Sequence, residues 1–231
     1  DYNIEFSLLA PDRKQYIIAD LPLSPVYPTS QWRNTETVGT AYRFRVPATA
    51  PAGQYQILAS VIDPDKGRAV GDFVTLGNLQ VEVHERNFTL PQDVVPVSAY
   101  IDDQIELVGY RLDDETTRAE ETFGLTLYWR SLNPAAANYT VFVHAVGPDT
   151  VMRGQWDSMP VNGTAPTSGW LPGEVIEDHY EIPMAKDAPA WKYDIFVGMY
   201  DPDTGERLPL SSQFAPVSDS RVWLSRVQVV E

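Results

Sequence analysis

The sequence contains no cysteine. That one absence removes a disulfide framework, a thiolate zinc site and a cysteine nucleophile together, and it leaves the redox compartment open. There is also no continuous apolar stretch near the roughly 20 residues needed to span a bilayer, and no basic-then-apolar opening of secretory type. No direct membrane insertion by this chain is expected. Basic residues are few: 17 Lys and Arg stand against 32 Asp and Glu, for a formal charge of −15. Phosphate backbones and anionic lipid headgroups repel so acidic a molecule, so nucleic acid is not an expected partner.

Apolar residues make up 43% of the 231 positions, enough to build real cores. Nineteen prolines and fourteen glycines are spread through the chain, and tyrosine, valine, isoleucine and threonine are plentiful. Such a composition fits short strands joined by frequent turns, and the expected class is all-β.

An internal repeat organises the chain. Moving the sequence by 138 residues lays Pro28, Thr29, Ser30 and Trp32 on Pro166, Thr167, Ser168 and Trp170, and Tyr42 on Tyr180. The same offset lays Ala50-Pro51-Ala52 and Tyr55 on Ala188-Pro189-Ala190 and Tyr193, then Asp63-Pro64-Asp65 and Gly67 on Asp201-Pro202-Asp203 and Gly205. With an offset of 137 the opening Asp1-Tyr2-Asn3-Ile4 falls on Asn138-Tyr139-Thr140-Val141. The second copy therefore carries residues before Asn138, including the strand-like Phe123 to Leu132, that have no counterpart in the first. We expect a first module over 1–86 that lacks its opening strands, a proline-bearing linker over 87–96 and a whole second module over 97–231.

Alternation places the strands. Phe123, Leu125, Leu127 and Trp129 share one face, and similar runs occur at Ile105 to Tyr110, Tyr139 to Val146, Tyr193 to Tyr200 and Val222 to Val230. First-copy counterparts run from Tyr2 to Leu9, Tyr55 to Ile62 and Leu76 to Val83. Strands at this spacing predict two tandem antiparallel β-sandwiches, immunoglobulin-like or jelly-roll-like.

Few residues suggest chemistry. The paired turns Asp63 to Gly67 and Asp201 to Gly205 have clustered carboxylates before a glycine, which makes Asp63, Asp65, Asp201 and Asp203 weak calcium candidates. The hairpin reading is stronger, because Pro presets a turn, Asp bonds the local backbone and Gly takes the left-handed position. Trp32 and Trp170 could stack on a sugar or anchor a loop over the core, and repetition favours the anchor. Trp156 and Trp191 are better candidates for exposed ligand-stacking rings. The three histidines, His84, His144 and His179, form no close-spaced metal pair with one another. No nucleophile elbow, phosphate loop or zinc-hydrolase helix motif is present, so no catalytic residue and no cofactor are expected.

Four blocks carry a resemblance: Leu127-Tyr128-Trp129-Arg130, Tyr139 to His144, Pro166-Thr167-Ser168 with Trp170 to Glu174, and Val197 to Asp201 continuing to Arg207-Leu208. They resemble the extracytoplasmic β-sandwich regions that follow the membrane part of polytopic glycosyltransferase-like proteins of the protein-mannosyltransferase type, in bacteria such as the Chloroflexi. The resemblance implies an extracytoplasmic address, attachment through a membrane part of the same polypeptide where any catalysis would lie, and a non-catalytic role. That role would be to bind glycan or position a lipid-linked sugar. A structural or protein-interaction spacer with no small ligand is the alternative, and a glycoside hydrolase is a third, less favoured one.

Overall fold

The alternating runs become strands because each then buries one row of side chains and leaves the other outward. The computed structural model describes all 231 residues. It is almost entirely β, and its only helical turns are short 3₁₀ pieces. The chain divides into two units, Asp1–Val83 and His84–Glu231.

The second unit contains two sheets. Its strands are β6 (Val95–Ile101), β7 (Ile105–Leu112), β8 (Thr116–Arg118), β9 (Thr122–Ser131), β10 (Thr140–Val146), β11 (Met152–Ser158), β12 (Val175–Pro183), β13 (Lys192–Tyr200), β14 (Leu210–Ser212), β15 (Val217–Ser218) and β16 (Arg221–Val230). One sheet runs β12-β9-β7-β6-β14 and the other β11-β10-β13-β16-β15, with β8 pairing parallel to β16. Phe123, Leu125, Leu127 and Trp129 of β9 face Val141, Val143, Ile195 and Val197 of the opposite sheet in one buried core. The sheet assignment of successive strands, with β9 beside β12 and β10 beside β13 and β16, is the immunoglobulin arrangement. Its corner is marked by Tyr193, whose hydroxyl donates to the Pro189 carbonyl at 3.1 Å, as the tyrosine corner of such sandwiches does.

The first unit contains one sheet. Its strands are β1 (Asn3–Leu9), β2 (Gln15–Pro22), β3 (Gly53–Asp63), β4 (Arg68–Ala69) and β5 (Val74–Val81), in the order β2-β1-β3-β4 with β5 also on β3. The pairing β2-β1-β3-β5 follows β11-β10-β13-β16, with the β1/β2 bulge two residues earlier than its counterpart. Asn3 faces Ile62 as Thr140 faces Tyr200, and a bulge follows Ile57 as one follows Ile195. Tyr55 repeats the corner, donating to the Pro51 carbonyl at 2.8 Å. Residues 37–45, the counterpart of β12, form no strand. In the second unit β12 pairs along its whole length with β9, and the first unit has no β9 to pair with. The segment instead lays Tyr42 and Phe44 against Phe6, with ring centroids 5.1 and 5.3 Å away.

The expected linker over 87–96 has structure. Val95 and Pro96 belong to β6, and the Asn87 carbonyl accepts from Val175 N at 2.7 Å.

Candidate functional site

Trp170 follows a 3₁₀ turn, Thr167–Gly169, and lies 1% exposed, with its indole Nε1 donating to the Ala165 carbonyl at 2.8 Å. Both the apolar body and the polar handle of the ring are satisfied inside, so it presents no face to a ligand. Trp32 follows the matching turn, Thr29–Gln31, and donates to the Tyr27 carbonyl at the same 2.8 Å, but it is only half-buried. Trp156 and Trp191 are each 40% exposed. Trp191 carries the Arg153 guanidinium 5.7 Å from its ring, and Arg153 is itself held by Asp149. Trp156 sits on the edge strand β11, paired with Val143.

The Asp-Pro-Asp turns are closed on themselves. Asp63 Oδ1 accepts from Asp65 N and Lys66 N, and its Oδ2 accepts from Lys66 Nζ at 2.7 Å. Asp201 Oδ1 accepts from Asp203 N at 2.9 Å. Gly67 and Gly205 hold φ of 59° and 74°, the left-handed conformation that finishes such turns. Neither turn gathers three ligand-bearing side chains. Calcium loops converge more oxygens than these turns leave free.

The most elaborate polar construction surrounds the Trp170 loop. Glu174 is fully buried. Its Oε1 lies 2.6 Å from His84 Nε2, and its Oε2 accepts from Arg86 at 2.5 Å and Leu171 N at 2.7 Å. Arg86 also donates to the Gly169 carbonyl, so the stretch entering the second unit is fastened to the loop by a desolvated, charge-assisted network. Next to it, Asp178 of β12 points inward and accepts from Val161 N, Trp129 Nε1 and the Tyr180 hydroxyl. Burial raises its pKa to about 6 against the opposing pull of those three donors. The bond to Val161 holds a turn in which Val161 and Asn162 both take positive φ, 52° and 50°. For a β-branched residue that backbone is strained.

An open cleft of about 450 Å³ lies between these parts, lined by His84, Arg86, Val161, Thr164, Ile176 and Glu177. Glu174 is fully occupied by its three donors, Asp178 faces the core, and the histidines are dispersed: His84 on Glu174, His144 against Phe142, His179 beside Glu181. The sequence shows the paired tyrosines as repeated positions and Glu174 within a repeated block, but it assigns no role to them or to Asp178. Glu174 carried a signal, because the repeat places Glu36 at the equivalent position, where its Oε2 likewise accepts from the backbone N of the residue three earlier, Arg33, at 2.9 Å.

The chain matches no protein-family model and no curated protein. Among solved structures it is similar to one described as a membrane anchored protein from Corynebacterium diphtheriae, at 12% identity and a TM-score of 0.17; the chain is covered in full and spans 53% of that protein. No helix is long and apolar enough to cross a membrane.

Proposed function

We propose that the chain is a non-catalytic, architectural module of an extracytoplasmic protein, in which a half-sandwich that docks a further β-layer precedes a complete sandwich in the sequence. One observation carries the reading. Val222 and Leu224 of β16 are 0% and 5% exposed beneath the β12-β9-β7 sheet, whereas Val74 and Leu76 of β5, at the equivalent positions of the pairing, are 60% and 57% exposed. Phe6, Leu8 and Tyr55 of the neighbouring β1 and β3 are buried, so the open part of the face is its β5 side, and exposed apolar side chains grouped there mark an interaction surface. The occupant that fits is an antiparallel sheet with an alternating apolar row like that of β9, because that is what covers the same face in the other copy. Light scattering across a concentration series tests it. The isolated chain should associate through this face, and Leu76→Lys should return it to monomers. A chain that stays monomeric at high concentration and binds no hydrophobic dye contradicts the reading.

A second reading, an accessory region that holds glycan or a lipid-linked sugar for a membrane glycosyltransferase of the same polypeptide, draws on the exposure of Trp156 and Trp191. On a glycan array, parent binding that either Trp→Ala change removes would support it. An array with no bound sugar counts against it.

A further inference from the structure

Outside the cleft, three side chains, two from β12 and one from just past the end of β7, meet on the outer face of the β12-β9-β7 sheet. Along β12, Ile176, Asp178, Tyr180 and Ile182 point into the core, so His179 and Glu181 point outward with a two-residue spacing. Across β9 from Glu181 is Gly124, and beyond it Asp113 N donates to the Gly124 carbonyl just past the end of β7. Glycine at 124 is what lets the row close. A Cβ there would overlap Asp113 Oδ2 and stand 2.9 Å from its Cγ, so only an absent side chain leaves room for the Asp113 carboxylate to lean over β9. The ligand atoms of Asp113, His179 and Glu181 all lie within 4.8 Å of one another.

Two of the three donors are also oriented from behind. His179 Nδ1 lies 3.1 Å from Thr126 Oγ1, and Thr126 is buried in the sheet. Glu181 Oε2 accepts from Thr122 Oγ1 at 2.8 Å. This leaves His179 Nε2 and Glu181 Oε1 facing each other at 3.1 Å. When Thr126 accepts the Nδ1 proton, Nε2 presents a lone pair to a carboxylate oxygen, an arrangement that needs a cation between them. Hydrogen-bonded partners behind metal-binding histidines and carboxylates have this orienting function. Ligand atoms on a tetrahedral zinc ion stand ~3.4 Å apart given bond lengths near 2.1 Å, so these three need only small rotamer adjustments to share one ion. The neighbouring cation, Arg111, has its Nε 3.7 Å from Asp113 Oδ1 and leaves Oδ2 on the Gly124 side.

We infer that Asp113, His179 and Glu181 form a surface site for a divalent transition-metal ion of the zinc class, built across three strands over the gap at Gly124. One imidazole nitrogen with two carboxylates suits zinc better than calcium, which takes six to eight oxygens. The remaining coordination position faces solvent, so the site can take a water or a donor from another molecule.

Calorimetric titration of the chelator-treated chain with Zn²⁺ is the test, with Co²⁺ absorption as a second readout. Saturable one-to-one binding is expected, weakened at least tenfold by His179→Ala and by Gly124→Ala and unchanged by His144→Ala. Circular dichroism checks that each variant stays folded; His179 is exposed, so its loss leaves the core intact. Absence of saturable binding overturns the assignment and leaves a plain hydrogen bond from Nε2–H to Glu181. Equal affinity in His179→Ala, or Ca²⁺ binding as tight as Zn²⁺, overturns it as well.

Discussion

The two copies of the repeat share their local chemistry and differ in what covers it. In both, a tryptophan indole donates to the carbonyl five residues back, a tyrosine hydroxyl donates to the proline carbonyl four residues back, and a threonine hydroxyl accepts from the backbone N that opens the first shared strand. Yet Trp170 and Tyr180 are sealed while Trp32 and Tyr42 are half-exposed. A sequence motif can therefore specify a loop to the hydrogen bond without specifying its burial. Burial comes from the second sheet, which only the second unit has.

Four substitution experiments can break or sharpen that contrast. The largest effect should come from Trp170→Ala, which empties a sealed site and should cost about 3–5 kcal/mol in the second unit's unfolding transition; Trp32→Ala should cost less than half of that. Calorimetry of the two variants reads the difference, and equal losses would remove the contrast. Arg86→Ala comes next. It leaves the Glu174 carboxylate buried with one strong partner fewer and should cost about 3 kcal/mol, whereas Tyr27→Phe, which removes solvent-exposed bonds to Glu36 and the Gln31 carbonyl, should cost far less. Denaturant midpoints at constant slope measure both.

The third experiment uses pH. Asp178 binds its proton more tightly folded than unfolded, so the folded state holds more protons between about pH 4 and 6. Its contribution favours the fold at low pH and is lost as pH rises through 6, by about 2–3 kcal/mol in all. Asp178→Asn should flatten that part of the second unit's stability profile, read by denaturation at a series of pH values. The first unit has Thr40 at this position, bonding the Leu23 carbonyl, and should show no such slope. The smallest effect should come from Leu76→Ser, under about 0.5 kcal/mol because the side chain is already exposed; Leu224→Ser should cost about 2–4 kcal/mol.

Much of this was legible. Alternation located β7, β9, β10, β13 and β16 to within two residues, and the offset of the repeat is the register of the sheets. The immunoglobulin arrangement was not legible, because it depends on which sheet each strand joins, and the parallel contact of Thr116–Arg118 with the end of β16 joins residues more than a hundred apart. The failure of residues 37–45 to form a strand was hidden for the same reason: the segment resembles β12 but lacks β12's partner. Asp113, His179 and Glu181 have no spacing signature, because only the pairing of β7, β9 and β12 brings Asp113 to the other two, and Gly124 reads as an ordinary strand glycine until its neighbours are known. The tryptophans were readable as a pair, but which of them would be sealed was not.

Amide hydrogen exchange of the whole chain, resolved by segment, tests the central claim most directly. Matching strands should separate: Gly53–Asp63 and Val74–Val81 should exchange at least about tenfold faster than Lys192–Tyr200 and Arg221–Val230, because an uncovered sheet opens at lower free energy than a sealed sandwich. Equal protection of the two sets would mean that the first unit's inner face is already covered, and would contradict the account.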